Sequence, residues 1–317
     1  MKKINYLIMS MMVVSVMVLS LSSCEDEPAP EPTVQILQAT VDGYAVAFTI
    51  AAENATSYAW DFGDGSGTST DENPLYTYAQ SGTYTATVTV TGEGGTASAT
   101  KDVTLAASTY EMLTGGPAMT NGKSWVMSST EAVVIFEAEY ADLSDPAAID
   151  DELPGGILGM LGLASEYEDL ATFLDDGSFE QNVVNDSVTA SALYAALNGI
   201  ASKPSGDDAI VLMPYTPGSG LSFTYNETDL TMSVMPDANA PATVEDITYT
   251  GYPYIEIVGE GFLGIIEVPR KYIVFELSTD KLVIGMFAHF PQDLTPGVDY
   301  ANFEPTHILK LGFIPAP

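Results

Sequence analysis

The chain predicts an all-β protein in two bodies, a β-sandwich followed by a larger β-sandwich or barrel domain that carries one short helix. Three observations support this. From Thr83 to Val90 the residues alternate, with Tyr84, Ala86, Val88 and Val90 on one side and Thr83, Thr85, Thr87 and Thr89 on the other. That is the period of a strand with one buried face. Further on, Asp175-Asp176-Gly177 lies between two apolar runs, a strong short-range hairpin signal. About ten more strand-length runs separated by polar turns fill the rest of the chain, the pattern of a sandwich or barrel.

In chain order, residues 1–23 come first. Lys2 and Lys3 precede an uncharged apolar run from Leu7 to Leu21, the pattern of a secretory signal and shorter than the ~20 residues that span a bilayer as a helix. Leu21-Ser22-Ser23-Cys24 follows, and Cys24 is the sole cysteine of 317 residues. An unpaired thiol is unusual in an exported protein, which is explained if the thiol is consumed. The segment resembles the bacterial lipoprotein signal, which implies that Cys24 is lipidated and becomes the mature N-terminus. The triplet Glu25-Asp26-Glu27 resembles the acidic tag that sends Bacteroidota-type lipoproteins to the outer cell surface. Localisation is thus expected at the outer membrane, lipid-anchored and facing outward. Residues 24–33 form an acidic, proline-rich spacer, stiff and extended.

Residues 34–106 form the first body. Trp60-Asp61-Phe62-Gly63-Asp64-Gly65, Pro74-Leu75-Tyr76-Thr77-Tyr78 and Ser81-Gly82-Thr83-Tyr84 resemble the PKD domain, which implies an Ig-like sandwich. Trp60 and Phe62 then fill its core, and Gly63 and Gly65 free the turn backbone. Asp61 and Asp64 either bind calcium, as in some PKD relatives, or hydrogen-bond their own turn. Ca2+ is the one cofactor that comes into question.

Residues 107–317 form the second body. Strands are expected at Lys123–Met127, Ala132–Ala138, Tyr167–Leu174, Ser178–Val184, Ala209–Met213, Leu221–Tyr225 and Asp229–Val234. Others are expected at Val244–Thr250, Tyr254–Val258, Tyr272–Leu277, Lys281–Met286 and Ile308–Phe313. The short helix is expected where Val188, Ala192, Leu193, Ala196, Leu197 and Ile200 share a stripe behind Asp186 or Ser187 as cap. The glycine-rich apolar segment Asp150–Ala164 reads either as a loop poised over a ligand or as a buried turn.

Removing residues 1–23 takes two of the nine basic residues and none of the 43 acidic ones, leaving 7 against 43, a formal charge of −36. Such a field repels nucleic acid and anionic surfaces. It also disfavours anionic polysaccharides unless cations bridge them, so a neutral glycan is the better ligand. A hydrophobic content of 46% excludes a disordered chain.

Catalytic patterns are missing. There is no His-Glu-x-x-His and no Gly-x-Ser-x-Gly, and no nucleophile is marked near His289 or His307. The run Glu227-Thr228-Asp229-Leu230-Thr231 ends at Met232, where the laminarinase-type Glu-x-Asp-x-x-Glu motif needs a carboxylate. The calcium candidates Asp150-Asp151-Glu152, Asp175-Asp176 and Asp207-Asp208 do not fit EF-hand spacing and read otherwise as solvated turns. Lys123-Ser124-Trp125-Val126 and Phe173-Leu174-Asp175-Asp176-Gly177, behind an anchor, spacer and PKD module, resemble the surface glycan-binding lipoproteins of Bacteroidota polysaccharide-utilisation systems. The resemblance implies a non-catalytic binder of extracellular glycan. Sugar stacking needs aromatic rings, and the densest cluster is Tyr249, Tyr252 and Tyr254, which reads either as that platform or as an aromatic-rich strand and turn. The rival readings are an assembly lipoprotein with envelope protein partners and an enzyme without a readable motif.

Overall fold

A computed structural model describes residues 27–129, 168–191, 194, 210–234, 244–267, 269–288, 305 and 307–317. The expected lipidation site Cys24, the strand at Ala132–Ala138, the segment Asp150–Ala164, His289 and the acidic residues 150–152 and 207–208 lie outside these residues. The chain divides into two compact units between Ala106 and Ala107.

The first unit is a two-sheet sandwich. One sheet has the order β1 (Thr33–Asp42), β2 (Ala45–Glu53), β5 (Leu75–Thr77); the other runs β4 (Thr68–Ser69), β3 (Ser57–Asp61), β6 (Gly82–Gly92), β7 (Gly95–Leu105). Alternation puts Ala86, Val88 and Val90 of β6 into the core against Val46, Phe48, Trp60 and Phe62. The threonine face of β6 points outward and bonds across to β7: Thr85 donates to Asp102 at 2.7 Å, and Thr89 pairs with Ser98 at 3.0 Å. Trp60 is 2% exposed, and its indole N–H donates to the Asp71 carbonyl at 3.0 Å. A buried ring with its polar atom satisfied is a core residue, as expected.

The second unit is an antiparallel barrel. Its strands are β8 (Lys123–Met127), β9 (Leu170–Phe173), β10 (Phe179–Asn182), β13 (Ser222–Asn226), β16 (Tyr254–Val258), β17 (Lys271–Leu277), β18 (Leu282–Ala288) and β19 (His307–Pro315). The sheet order is β10-β9-β8-β19-β18-β17-β16-β13. A bridge between Ser178 and Ser222, with Phe179 N–H donating to Leu221 O at 3.0 Å, joins the two ends. Closure removes the sheet edges. Between β10 and β13 the chain inserts the hairpin β11 (Ser187–Ser191)–β12 (Ile210–Pro214), and between β13 and β16 the hairpin β14 (Leu230–Val234)–β15 (Glu245–Tyr249).

An eight-stranded barrel is just wide enough for side chains to fill, and this one is filled. Trp125, Phe173, Phe223, Tyr272, Ile284 and Leu311 belong to one interior cluster. A short helix α1 (Thr109–Thr114), capped by Ser108 Oγ accepting from Glu111 N–H at 3.1 Å, adds Leu113 to that cluster. Leu263 and Ile265, from the β16–β17 connection, join it as well.

The start expected for the helix, at Asp186 or Ser187, is corrected: the chain is extended through Ser191, while Tyr194, within the expected span, is helical. Ser187–Ser191 is the strand β11, with Val188 opposite Met213 and Ala190 opposite Val211. Val188 and Ala190 are fully buried with Phe262 and Ile266, and Ile266 N–H donates to Thr189 O at 2.8 Å. Strand pairing and the burial of Val188 outweigh the helical stripe. Asp186 ends a 3-10 turn, Val184–Asp186, with φ 50° instead of capping a helix. The remaining stripe residues lie outside the described set.

Candidate functional site

With the barrel interior occupied, an outer wall is the surface left for recognition, and β16 to β19 build it. Alternation sends Ile255, Tyr272, Val274, Ile284, Met286 and Leu309 inward, and Ile273, Phe287 and Ile308 outward. The β14–β15 hairpin covers the outward set with Leu230, Met232, Val234 and Tyr249.

Tyr249 belongs to that cover. It is 1% exposed and meets Phe287 edge-on at 5.5 Å between centroids, so its ring is a core element and cannot offer a face to a sugar. Tyr252 and Tyr254 are half-buried at the margin of the same cluster. Tyr252 follows a turn in which Gly251 has φ 82° and donates its N–H to Asp229 Oδ1 at 3.3 Å. The next residue, Pro253, accepts from Val274 N–H at 2.7 Å, which fixes Tyr252 beside β17.

Two residues that sequence reasoning missed complete the group. Phe275 continues the alternation of β17 and points outward with Ile273, where it meets Tyr252 at 5.6 Å with rings 73° apart. Gly285 makes room for it: a Cβ there would come within 2.6 Å of the Phe275 ring. Gly285 pairs with Ile273 on one side and Lys310 on the other, and Lys310 Nζ stands 5.4 Å from the Phe275 centroid. Tyr252, Phe275 and Lys310 therefore form one half-exposed aromatic and cationic group, and Tyr254 packs on the same outer cluster. The sequence sign of it was the outward parity of Phe275 and Lys310 on their strands; that the two meet depends on the register of β17, β18 and β19.

The acidic candidates are placed differently. Asp61 Oδ1 accepts from Gly63 N–H at 2.9 Å. Asp64 Oδ1 accepts from the N–H groups of Ser66 and Gly67 at 3.0 and 2.8 Å, and its Oδ2 accepts from the Tyr76 hydroxyl. The Tyr76 bond, followed by the backbone bonds, holds the Asp64 carboxyl down to about 2 despite some burial. Asp176 accepts from Ser178 N–H at 2.9 Å within the β9–β10 turn. Among the described residues, no three His, Cys, Asp or Glu side chains gather as metal ligands would.

A further carboxylate escaped the sequence reading. Asp169 Oδ1 accepts from Val184 N–H at 2.7 Å, while its Oδ2 is buried with no hydrogen-bond partner. Burial first, and the charge of Glu168 after it, push this carboxyl up to about 6 against the Val184 bond. The group lies in a small pocket lined by Met127, Leu170, Gln181, Phe262 and Phe313.

A sandwich whose Trp-Asp-Phe-Gly-Asp-Gly block closes an aromatic core is a module of the Ig-like class. Residues 27–107 match the family model of the PKD domain, and through this first unit the chain belongs to that family. It is similar to the PKD1 domain of Vibrio cholerae metalloprotease PrtV, 30% identical, covering 24% of this chain and 98% of that one at a TM-score of 0.23. Similarity to the PKD1 domain of Vibrio anguillarum Epp is 29% in identity, covering 25% of this chain and 99% of that one, again at 0.23. A likeness to carbohydrate-binding modules of the β-sandwich superfamily covers 92% of this chain and 93% of that one, at 14% identity and a TM-score of 0.23; at that score it carries no argument. No curated protein sequence matches the chain.

Proposed function

We propose that this is a lipid-anchored, non-catalytic cell-surface protein that holds an extracellular, largely neutral glycan on the outer wall of its barrel. The observation that carries this reading is the half-exposed group of Tyr252 and Phe275 beside Lys310. Sugar rings present apolar C–H faces that stack on aromatic rings and hydroxyls that accept from an ammonium. The filled barrel supports an exterior site, and the formal −36 of the mature chain favours uncharged polymer. Cys24 supplies the membrane hold, the acidic spacer and PKD module carry the barrel outward, and no motif for bond cleavage is present.

The test is electrophoresis of the mature protein through gels containing neutral polysaccharides. Retardation without release of reducing ends is expected, and Tyr252→Ala should weaken it by about 1–3 kcal/mol, the scale of base stacking on aromatic residues. No retardation by any member of a broad panel, together with an envelope protein recovered by cross-linking, would transfer the assignment to protein contacts. Replacing Cys24 with Ala should release the protein from the membrane fraction, because stable anchoring takes more than one acyl chain. Native protein whose mass begins at any residue other than a modified Cys24 would overturn the anchor.

A further inference from the structure

We infer that Lys310 reads an acidic substituent, so that the ligand is a mostly neutral glycan carrying isolated uronic acid residues. This rests on the proposed glycan site and specifies its chemistry. Acidic residues outnumber basic ones 43 to 9 in the chain, and the other lysine of the wall, Lys271, has Glu256 at 3.9 Å. Lys281, at the β17–β18 turn, has Glu276 at 3.0 Å. Lys310 makes no ion pair with any described residue, and its described contact is with the Phe275 ring at 5.4 Å.

The surroundings maintain that state. Lys310 stands opposite Gly285, which offers no side chain, and Phe275 lies over that glycine. Asp229, the acid tied to the Tyr252 turn, directs Oδ1 to Gly251 N–H at 3.3 Å and Oδ2 to the Thr250 hydroxyl at 3.5 Å. A pyranose stacked on Tyr252, whose ring meets Phe275 at 5.6 Å, therefore lies beside an ammonium that makes no ion pair with any described residue. A hydroxyl uses one of its N–H groups; a carboxylate uses the charge too.

The protein's overall field limits how many carboxylates the polymer can carry. At 0.01 M salt the Debye length is about 30 Å and the whole negative surface acts on an approaching anion; at 0.15 M it is about 8 Å and the contact at Lys310 dominates. Isolated acidic residues pass this filter, whereas polyuronate does not. Binding of the acidic form should thus strengthen as salt rises over this range, opposite to an ordinary surface ion pair.

The experiment uses the mature protein and two forms of one polymer: a glucuronic-acid-bearing arabinogalactan, and the same material with its carboxyls reduced to alcohols. A glucuronoxylan treated in the same way serves as the second pair. The acidic form should be retained about fivefold more tightly at 0.15 M NaCl, the scale of one partly exposed ion pair. Retention of that form should rise from 0.01 to 0.15 M NaCl. Lys310→Gln should bind both forms equally, and Lys310→Arg should keep the preference. Equal binding of both forms by the wild type, or a preference that survives Lys310→Gln, overturns the inference; loss of both forms in Tyr252→Ala would then leave the glycan reading standing. Failure of every polymer, acidic or neutral, overturns both.

Discussion

Asp64 commits both carboxylate oxygens to its own turn and to Tyr76, whereas Asp169 has one oxygen bonded and the other buried without a partner. Their effects on stability have opposite signs. The Asp64 carboxyl, held at about 2 against an ordinary 3.8, contributes stability above pH 4 that is lost as pH falls towards 2. The Asp169 carboxyl, raised to about 6, binds its proton more tightly in the folded state. Its contribution is complete below the ordinary carboxyl range and disappears as pH rises through 6. Asp169→Asn, which keeps an acceptor for Val184 N–H, should therefore gain melting temperature relative to wild type between pH 4.5 and pH 7. A wild-type-minus-variant difference that stays flat over that range would show that burial does not hold the proton there. In the sandwich core, Trp60→Ala should cost about 3–5 kcal/mol in denaturant unfolding, since the ring packs on Phe48 at 5.0 Å and on Phe62 at 5.8 Å. A cost below 1 kcal/mol would contradict its place in the core.

Helix α1 has six residues, too few to hold itself together, so it depends on the barrel. Lys123 provides the attachment: its ammonium donates to Met112 O at 2.8 Å and Thr279 O at 2.7 Å, and it lies 4.1 Å from the Trp125 ring centroid. Trp125 adds an indole bond to Leu113 O at 2.9 Å. Lys123→Met keeps the stem over the ring and removes the donors, so about 1.5–3 kcal/mol of stability should be lost, the range for bonds to a charged group. An unchanged denaturation midpoint would mean that the helix is held by packing alone. This element also marks the limit of what the sequence discloses. Strands are legible because their period repeats locally: Lys123–Met127 and Tyr254–Val258 fall where alternation puts them. The Asp-Asp-Gly turn is likewise local chemistry, with Gly177 at φ 85° and its N–H on Leu174 O at 3.1 Å. By contrast, α1 owes its existence to residues on other strands, and β11 owes its strand state to β12 and Ile266. The same holds at the candidate site. The turn tyrosines stand out as a cluster in sequence, but which of them is exposed depends on how β14 and β15 cover the barrel. Phe275 and Lys310 meet only through the register across Gly285.

At the scale of the molecule, charge is what remains unbalanced. The chain carries 43 acids against 9 bases, so most carboxylates have no cationic partner available. Ion pairs such as Lys281–Glu276, half exposed at 3.0 Å, contribute at most about 1 kcal/mol each. Self-repulsion acts over the Debye length, so raising NaCl from 0.01 to 0.5 M should raise the melting temperature with no change in fold. A specific cation would act differently, adding stability at micromolar to millimolar concentration by binding the native state alone. Asp61 and Asp64 are the sequence-derived candidates, and the structure has Asp64 committed to Ser66, Gly67 and Tyr76 and Asp61 to Gly63. Both oxygens of Asp64 already serve the turn and Tyr76, so the arrangement is that of a hydrogen-bonded turn. CaCl2 and MgCl2 at equal ionic strength should therefore raise the melting temperature equally. If calcium gave a larger rise, and Asp64→Asn or Asp61→Asn abolished it, the turn would be a calcium site. In that case Ca2+ could also bridge this acidic surface to a glycan richer in carboxylates than the one inferred at Lys310.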